Sequence, residues 1–358
     1  MKVGSDLGYG FVKAVCGRGP GEQVMFQSVV GKARPRNLVT INTSTLENLH
    51  VHIEGPGIDG EYFVGDLARR EAFDTSLTMD EDKVMHENTV VLLATSLALL
   101  AKGAETEVDL VTGLPVSHYV KQRVALEQRL RGDYTVTFMS GPLQGQQRRL
   151  VIRSARVFVQ AAGAVYSEIL GDDGRATGKP IVLDDGRPVD LTDSKIGVID
   201  VGFKTTDYVV LERMRWVDLE SSSVNVGMNT IFRAVQRELN RRFNYDLPLY
   251  NVESAVASGE IESAGKKYDV RPITEAAMQA IAKKILDSIS ADWQNRAALR
   301  AVLVAGGGGA ALWGYLRHWD AMYLMPNAQM ANALGYFKLA NSGHGASDGT
   351  QAVVHPVG

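Results

Sequence analysis

Residues 5–13 read SDLGYGFVK and residues 199–207 read IDVGFKTTD, so one pattern occurs twice in the chain. Each copy follows an apolar run, reaches an aspartate, passes a glycine-bearing turn and continues into a second strand-like segment. Two such units predict two similar domains, each of which presents a hairpin to a shared cleft.

The turns of both hairpins have the residues that a phosphate chain requires. Backbone N–H groups can approach phosphate oxygens closely only where a side chain does not intervene, and glycine meets that condition. In the first hairpin Gly8 and Gly10 supply this freedom, and Lys13 on the return strand can place an ammonium group against a phosphate. The second hairpin repeats the arrangement with one glycine and two hydroxyl donors, Gly202, Thr205 and Thr206.

An aspartate stands at the start of each turn. Asp6 and Asp200 are suited to hold Mg²⁺, through its bound waters. Two carboxylates around one hydrated metal ion also stabilise the charge that moves onto a leaving phosphate. One such turn is weak support for a site, because Asp and Gly are common in ordinary β-turns. Two matching turns are stronger.

A third motif, VLVAGGGGA at residues 302–310, is a strand that meets four glycines at the start of a helix. Glycines at this point leave room for a flat base or a ribose against the backbone. Their spacing is not that of a Rossmann fingerprint, and the chain has no P-loop motif.

Composition limits the class of protein. At 358 residues the chain suits two domains, and a net charge of -3 gives no reason to expect nucleic acid or a membrane as a direct ligand. A single cysteine, Cys16, excludes an internal disulfide and fits a reducing, cytoplasmic location. The apolar run at residues 90–101 is about half the length of a membrane helix, so we interpret it as a buried helix.

The remaining segments give coarser predictions. Residues 31–60 are rich in Pro, Asn and Gly, and we predict an exposed insertion or loop there. Residues 183–187, LDDGR, are of the types that form the turn of a surface hairpin. Residues 341–358 are predicted to be a loose tail. His50 and His52 are close in sequence, but we find no carboxylate at ligand spacing, which argues against a zinc site.

Periodicity predicts the regular elements. Strands are expected over residues 62–64, 107–112, 133–140, 147–153 and 301–305. Helices are expected over residues 88–101, 117–131, 161–170, 227–242, 250–257 and 274–295.

The order of these motifs resembles that of the superfamily of actins, DnaK-type chaperones and sugar kinases. Within it, four segments look like the ParM-type plasmid-segregating actins. They are DLGYGFVK at 6–13, VTGLPV at 111–116, DVGFKTTD at 200–207 and ANALGYF at 331–337. The second and fourth segments discriminate best, because sugar kinases and chaperones do not usually have them.

The resemblance implies an α/β fold of two ribonuclease-H-like, actin-like domains, with mixed sheets flanked by helices and a nucleotide in the cleft between them. Domain I would comprise residues 1–160 and 330–358, and domain II residues 161–329. Mg²⁺ and ATP would be the ligands, with GTP left open as an alternative.

The resemblance also implies roles for particular residues. Gln160 corresponds to the glutamine that orients the attacking water, with a hydrogen bond at the start of a helix as its structural alternative. Asp6 and Asp200 correspond to the magnesium-associated aspartates. Two further groups would contact the nucleotide. The phosphate-binding positions are Gly8, Tyr9, Gly10, Lys13, Gly202, Lys204, Thr205 and Thr206, and the nucleoside-binding positions are Gly306, Gly307, Gly308, Arg233 and Arg237. In one place the chain departs from actin, since Phe203 stands where actin has an aspartate, so the number of carboxylates near the metal is open.

The function implied is an ATPase that polymerises head to tail. Such a filament would move or segregate plasmid DNA through a separate DNA-binding adaptor protein, because the chain has no basic face of its own. One alternative is a small-molecule kinase of the same superfamily, with Asp66 or Asp109 as general base. Another is a scaffold that does not hydrolyse nucleotide.

Overall fold

Two β-sheets, each built around one copy of the repeated hairpin, organise the protein. The computed structural model describes residues 1–35, 44–72, 75–77, 86–244, 246–263 and 265–342. Contacts divide the chain into a first unit of residues 1–181, 190–192 and Met330 onward, and a second unit of residues 182–189 and 193–329. The predicted boundary at residue 160 differs from this division, because residues 161–181 lie in the first unit.

The first unit contains a ten-stranded mixed sheet in the order β3-β2-β1-β8-β10-β9-β5-β6-β4-β7. Its strands are β1 Lys2–Leu7, β2 Phe11–Val15, β3 Gln23–Gln27, β4 Val29–Lys32, β5 His50–Gly55, β6 Ile58–Val64, β7 Thr75–Leu77, β8 Glu105–Leu114, β9 Gly132–Phe138 and β10 Gln147–Val159. Its helices are α1 Asp66–Glu71, α2 Glu87–Leu100, α3 Val116–Leu130, α4 Gln160–Ile169 and, from the end of the chain, α9 Ala331–Asn341.

The second unit contains a six-stranded sheet in the order β15-β14-β13-β19-β20, with β16 also paired to β14. Its strands are β13 Lys195–Val201, β14 Thr206–Glu212, β15 Arg215–Trp216, β16 Ser222–Val224, β17 Glu260–Ser263, β18 Lys266–Asp269, β19 Ala301–Ala305 and β20 Met322–Leu324. Its helices are α5 Met228–Phe243, α6 Leu249–Ser258, α7 Arg271–Asp292 and α8 Gly306–Leu316. Strands β17 and β18 form a hairpin of their own.

The two large sheets repeat one arrangement. In each, the first strand of the hairpin lies between its antiparallel return strand and a parallel strand from later in the chain. β1 pairs with β2 and β8, and β13 pairs with β14 and β19. The order β3-β2-β1-β8-β10 thus matches β15-β14-β13-β19-β20. The internal repeat predicted from the sequence is confirmed.

Helices cover both faces of the first sheet at β1. Val3 belongs to the apolar cluster that includes α2, whereas a side chain at its neighbour Gly4 would meet the backbone of α9. Successive residues of a strand point to opposite faces, so α2 and α9 lie on opposite sides of the sheet. In the second unit, α5, α7 and α8 form one core with β13, β14 and β19.

The prediction of a loop over residues 31–60 is wrong. Strands β4, β5 and β6 occupy part of this range, and Val51 and Ile53 are fully buried. Gly55, Pro56 and Gly57 lie at the β5–β6 turn, while apolar and polar residues alternate along β5 as a half-buried strand requires. Residues 36–43 of that range lie outside the described residues.

The other predicted elements are confirmed, with ends that differ by a few residues. The hairpin at 183–187 is present between β11, Ile181–Val182, and β12, Pro188–Val189, and the Gly186 N–H donates to the Leu183 carbonyl at 2.8 Å. The apolar run at 90–101 forms the buried helix α2. Within the described residues, no helix has both the length and the apolar character that crossing a bilayer requires. The tail predicted at 341–358 lies, from residue 343, outside them.

Candidate functional site

Asp6 is the centre of the first half of the candidate site. It lies one residue before the end of β1, is 3% exposed, and faces Lys13 directly across the hairpin. The Lys13 Nζ lies 2.8 Å from the Asp6 Oδ2. A buried carboxylate is costly unless a partner compensates its charge, and Lys13 supplies that charge on the adjacent strand.

Gln160 also reaches Asp6. As the first residue of α4 it follows β10, and its side-chain Nε2 donates to the Asp6 Oδ1 at 3.3 Å. This hydrogen bond joins the start of α4 to β1, and the role of Gln160 in orienting a water stays a prediction. Asp6, Lys13 and Gln160, predicted separately, form one connected group.

The turn between β1 and β2 is fixed by a residue that the sequence reasoning missed. Ser28 is fully buried, and its Oγ donates to the Gly8 carbonyl at 2.6 Å while its N–H donates to the Gly10 carbonyl at 2.9 Å. A Cβ added at Gly8 would lie 2.8 Å from the Phe11 carbonyl oxygen, so this turn requires glycine. Tyr9 is buried at 6% exposure. Nothing in the sequence signals that a serine beyond β3 folds back onto this turn.

Two of the family-like segments meet behind Gln160. Tyr336 of α9 is fully buried, and its hydroxyl donates to the Gln160 carbonyl at 3.2 Å. Side chains at Gly113 and Gly163 would collide with the Tyr336 ring or hydroxyl. The segments at 111–116 and 331–337 are therefore two sides of one close helix–sheet contact, which holds the start of α4.

The second half-site has a different charge arrangement. Asp200 occupies in β13 the position that Asp6 has in β1, but it faces Asp207 rather than a lysine. Both side chains are buried, at 3% and 2% exposure, and the Thr205 Oγ1 donates to the Asp207 Oδ2 at 3.2 Å. Opposite residues of an antiparallel pair have Cβ atoms about 4.5–5.5 Å apart, so two carboxylates share one face.

Asp207 is thus a second carboxylate of this half-site, and the sequence reasoning did not select it. A signal was available, because the two aligned repeats end in Lys13 and Asp207. Asp207 therefore adds to the number of carboxylates near the metal, which the sequence left open because Phe203 stands where actin has an aspartate. The Phe203 ring packs beside Phe232 at a centroid distance of 6.1 Å.

Backbone hydrogen bonds fix the turn between β13 and β14. The Gly202 N–H donates to the Thr205 carbonyl at 2.9 Å, and the first N–H groups of α5 donate to the carbonyls of Gly202 and Phe203. Thr206 is fully buried, and its hydroxyl donates to the Val226 carbonyl at 2.7 Å. That hydroxyl is engaged with the protein, whereas Lys204 and Thr205 are half-buried in the turn.

The glycines after β19 lie directly against Asp200. Gly306 has a φ of +83°, and a Cβ there would collide with the Val201 carbonyl and the Asp200 Oδ1. A Cβ on Gly308 would lie 2.6 Å from the Val201 Cγ1, and one on Gly307 would reach the Gln329 side chain at 3.4 Å. Helix α8 begins at Gly306, and the N-terminus of a helix favours anions.

The two predicted arginines lie on the exposed face of α5. Arg233 and Arg237 are one turn apart, opposite the buried stripe of the same helix, and the Arg233 Nη1 donates to the Gln236 Oε1 at 3.1 Å. Their proposed role beside the base stays a prediction.

The aspartates of the kinase alternative are placed differently. Asp109 pairs with Lys2 at the opposite end of β1 from Asp6, and it accepts a hydrogen bond from the Ser154 Oγ at 2.9 Å. Asp66 begins α1 and lies 3.4 Å from Arg69 of the same helix. Neither observation favours a general base beside Asp6.

Comparisons with known proteins agree with this geometry. A family model described as the N-terminal domain of actin-like proteins matches residues 4–163, and one described as the C-terminal domain of archaeal MreB-like actin homologues matches residues 198–317. No curated protein matches the chain. The two models thus match the first part of the chain to an actin-like N-terminal domain and the later part to an archaeal MreB-like C-terminal domain, and the predicted actin-like fold of mixed sheets flanked by helices is confirmed.

Several solved structures have the same fold as this chain over almost its whole length. It is similar to the ParM of a 15-stranded filament from Clostridium botulinum, with 27% identity, a TM-score of 0.78 and coverage of 95% of this chain and 98% of that one. It shares its fold with the archaeal actin homologue Ta0583, at 19% identity, a TM-score of 0.75 and 95% and 98% coverage. The same holds for Bacillus thuringiensis ParM with AMPPNP, at 20% identity, a TM-score of 0.70 and 94% and 96% coverage. The solved structures that the chain resembles thus include a ParM filament and an archaeal actin homologue.

Proposed function

We propose that this protein hydrolyses ATP and that the nucleotide controls its assembly into filaments. One observation carries the proposal: both units place a buried aspartate at the same point of the same sheet, directly before a glycine turn. We propose that the two half-sites act on one nucleotide, with the turns at 8–10 and 202–205 donating backbone N–H groups to its phosphates.

The residues of both half-sites fit Mg²⁺. Asp6, Asp200 and Asp207 are buried carboxylates, and hard cations prefer oxygen ligands of this kind. Asp200 and Asp207 face each other, so a cation would relieve the repulsion between them. When bound, Mg²⁺ would neutralise charge on the phosphates. Lys13 would supply a further positive charge to a phosphate oxygen from its place opposite Asp6.

Gln160 is proposed to position the attacking water. Its amide nitrogen is directed to Asp6, which leaves the side-chain oxygen to accept a hydrogen bond from a water molecule. The water oxygen forms a bond to the γ-phosphorus while the bond to the bridging oxygen breaks and ADP leaves with the electron pair. The proton that the water loses passes to an oxygen of the released phosphate. In this reaction Gln160 holds the water in line and does not act as the base.

The glycines at 306–308 are proposed to receive the nucleoside, since they keep the backbone open beside Asp200. Lys204 and Thr205 would contact phosphate from the second turn. The buried hydroxyl of Thr206 is proposed to hold β14 against Val226. Arg233 and Arg237 would flank the base, and GTP remains an alternative to ATP.

Filament formation is the biological side of the proposal. The ParM structure from Clostridium botulinum is a filament, and the chain matches it over almost its whole length. A head-to-tail contact does not close on itself and therefore continues into a filament. We propose that the filament moves or segregates plasmid DNA in the cytoplasm. A net charge of -3 suits a separate DNA-binding adaptor better than direct DNA binding.

Sedimentation and phosphate release test the two parts separately. The purified protein is incubated with Mg²⁺ and ATP, ADP or no nucleotide, and pellets are examined by electron microscopy. We expect filaments with ATP and phosphate release that stops when EDTA removes Mg²⁺. Phosphate release without any pellet at tens of micromolar protein contradicts the filament, whereas filaments without phosphate release contradict the ATPase.

A further inference from the structure

The hairpin of β5 and β6 carries a cluster of metal-binding side chains in the first unit. His52, Glu54 and Asp59 each offer one ligand atom, and these atoms lie within 4.8 Å of one another. The residues share one face of the hairpin, because Glu54 pairs with Asp59 and His52 lies two residues before Glu54. The sequence argument against zinc, that no carboxylate joins the histidines, is wrong on this point because the strand pairing brings one in.

The central pair already has the spacing of two ligands on one ion. The His52 Nε2 lies 2.9 Å from the Asp59 Oδ1. Zinc binds imidazole nitrogen and carboxylate oxygen at about 2.0–2.2 Å, so two such ligands stand roughly 3 Å apart around the ion. The ligand atom of Glu54, an exposed residue, lies within 4.8 Å of both.

The sheet holds these ligands on a rigid base. β5 is an interior strand, paired with β9 on one side and β6 on the other. Val51 and Ile53, which alternate with the ligands, are fully buried on the opposite face. The ligand face is open, with 30% of the His52 side chain and 77% of the Asp59 side chain exposed, so water can complete the coordination of an ion.

Neighbouring His50 is held in a separate arrangement. Its Nε2 lies 3.2 Å from the Glu61 Oε2, and its ring packs edge-on against Phe63 at a centroid distance of 4.9 Å. The same strand thus provides two histidines on one face, of which one faces the Glu54–Asp59 pair and the other is packed against an aromatic ring.

We propose that His52, Glu54 and Asp59 bind a first-row transition-metal cation, with Zn²⁺ as the probe. One imidazole with two carboxylates suits Zn²⁺ and its neighbours, whereas Mg²⁺ and Ca²⁺ prefer sites made only of oxygen. The site is independent of the proposed nucleotide chemistry. A bound ion would join β5 to β6 next to the turn at 55–57 and so make the hairpin more rigid.

The test is a calorimetric titration of the full chain with Zn²⁺, without nucleotide and in millimolar Mg²⁺. The magnesium occupies sites that prefer oxygen ligands, which separates this site from the nucleotide site. We expect one saturable Zn²⁺ per chain, and His52→Ala weakens its binding by about tenfold or more. His50→Ala, a matched change two residues earlier on the same strand, retains the affinity.

A second measurement guards against misfolding of the variants. Each is melted with and without Zn²⁺, and we expect Zn²⁺ to raise the Tm of the unchanged protein and of His50→Ala but not that of His52→Ala. Absence of saturable binding below millimolar Zn²⁺ in the unchanged protein would overturn the proposal. Equal Zn²⁺ affinity in His52→Ala and the unchanged protein, or an equal loss in both variants, would overturn it as well.

Discussion

The buried carboxylates of Asp6 and Asp200 lie at equivalent positions, but the residues that face them across the hairpin differ in charge. Asp6 faces Lys13, which neutralises it, whereas Asp200 faces Asp207 and lies against the start of α8. Like charges on directly opposite residues of a sheet are destabilising. A cation bound beside these two carboxylates would offset charge on both of them, which leads to a test of the metal proposal.

Replacing Asp207 by Asn removes one of the two facing charges and keeps an oxygen that can accept from Thr205. Without metal, we expect the free energy of unfolding to stay equal or to rise by up to about 1 kcal/mol. The Mg²⁺ concentration for half-maximal ATP hydrolysis should rise roughly tenfold, because carboxylate charge sets affinity for hard cations. Denaturant melts and a Mg²⁺ titration measure the two effects.

Asp193→Asn is the matched control, since that side chain is 74% exposed and pairs with Arg213. It should leave the Mg²⁺ dependence unchanged. A Mg²⁺ dependence of Asp207→Asn that equals that of the unchanged protein would remove Asp207 from the metal site.

Gln160→Ala tests the positioning of water. Loss of the amide should lower the rate of phosphate release by about a hundredfold, the effect of misplacing one reactant. The variant loses the hydrogen bond of 3.3 Å from Gln160 to Asp6 but keeps the ion pair of Lys13 with that carboxylate. ATP binding should therefore persist. Filaments formed with ATP should outlive those of the unchanged protein. Gln147→Ala, at an exposed glutamine on β10, should change neither rate nor lifetime. Unaltered phosphate release in Gln160→Ala would support the scaffold alternative.

At the scale of elements, the contact of α9 with α4 positions the first half-site. Gly335 lies so close to Gly163 that a side chain on it would collide with the Gly163 carbonyl. The Lys338 Nζ donates to the carbonyls of Ser167 and Leu170 at the end of α4, at 2.6 Å each. Burial lowers the pKa of Lys338, which nevertheless gains two carbonyl partners there.

Two glycine-to-alanine changes in helices should act in opposite directions. Gly335→Ala forces α9 away from α4 and should destabilise the protein by about 1–3 kcal/mol. Gly314→Ala in α8 places its methyl group in open space, and the lower flexibility of the unfolded chain should stabilise it by about 0.5–1 kcal/mol. Thermal melts of both variants decide this. A stabilised Gly335→Ala variant would contradict the close packing described here.

The same elements show how far the sequence can predict the structure. The two hairpins and the strand before Gly306 were predicted because aspartate, glycine and apolar runs signal them locally. The pairing of β5 with β6 was missed, because glycine and proline in its turn resemble a loop. The bond from Ser28 to Gly8 and the facing of Asp207 and Asp200 depend on chain segments that meet only after folding.

For the whole molecule, the sheet order in both units and the match to ParM structures establish an actin-like fold. The proposed function adds that the two half-sites act together on one nucleotide. The repeat explains why each unit has its own aspartate and glycine turn, and hydrolysis that depends on both would couple nucleotide state to the relation between units. The stability of the filament would then depend on which nucleotide is bound.

The most direct measurement is an experimental structure of the protein with Mg²⁺ and a non-hydrolysable ATP analogue. The account predicts one nucleotide whose phosphates contact the turns at 8–10 and 202–205 together, with the metal ion beside Asp6 and Asp200. A nucleotide that contacts only one of these turns, or a metal ion remote from both aspartates, would contradict it.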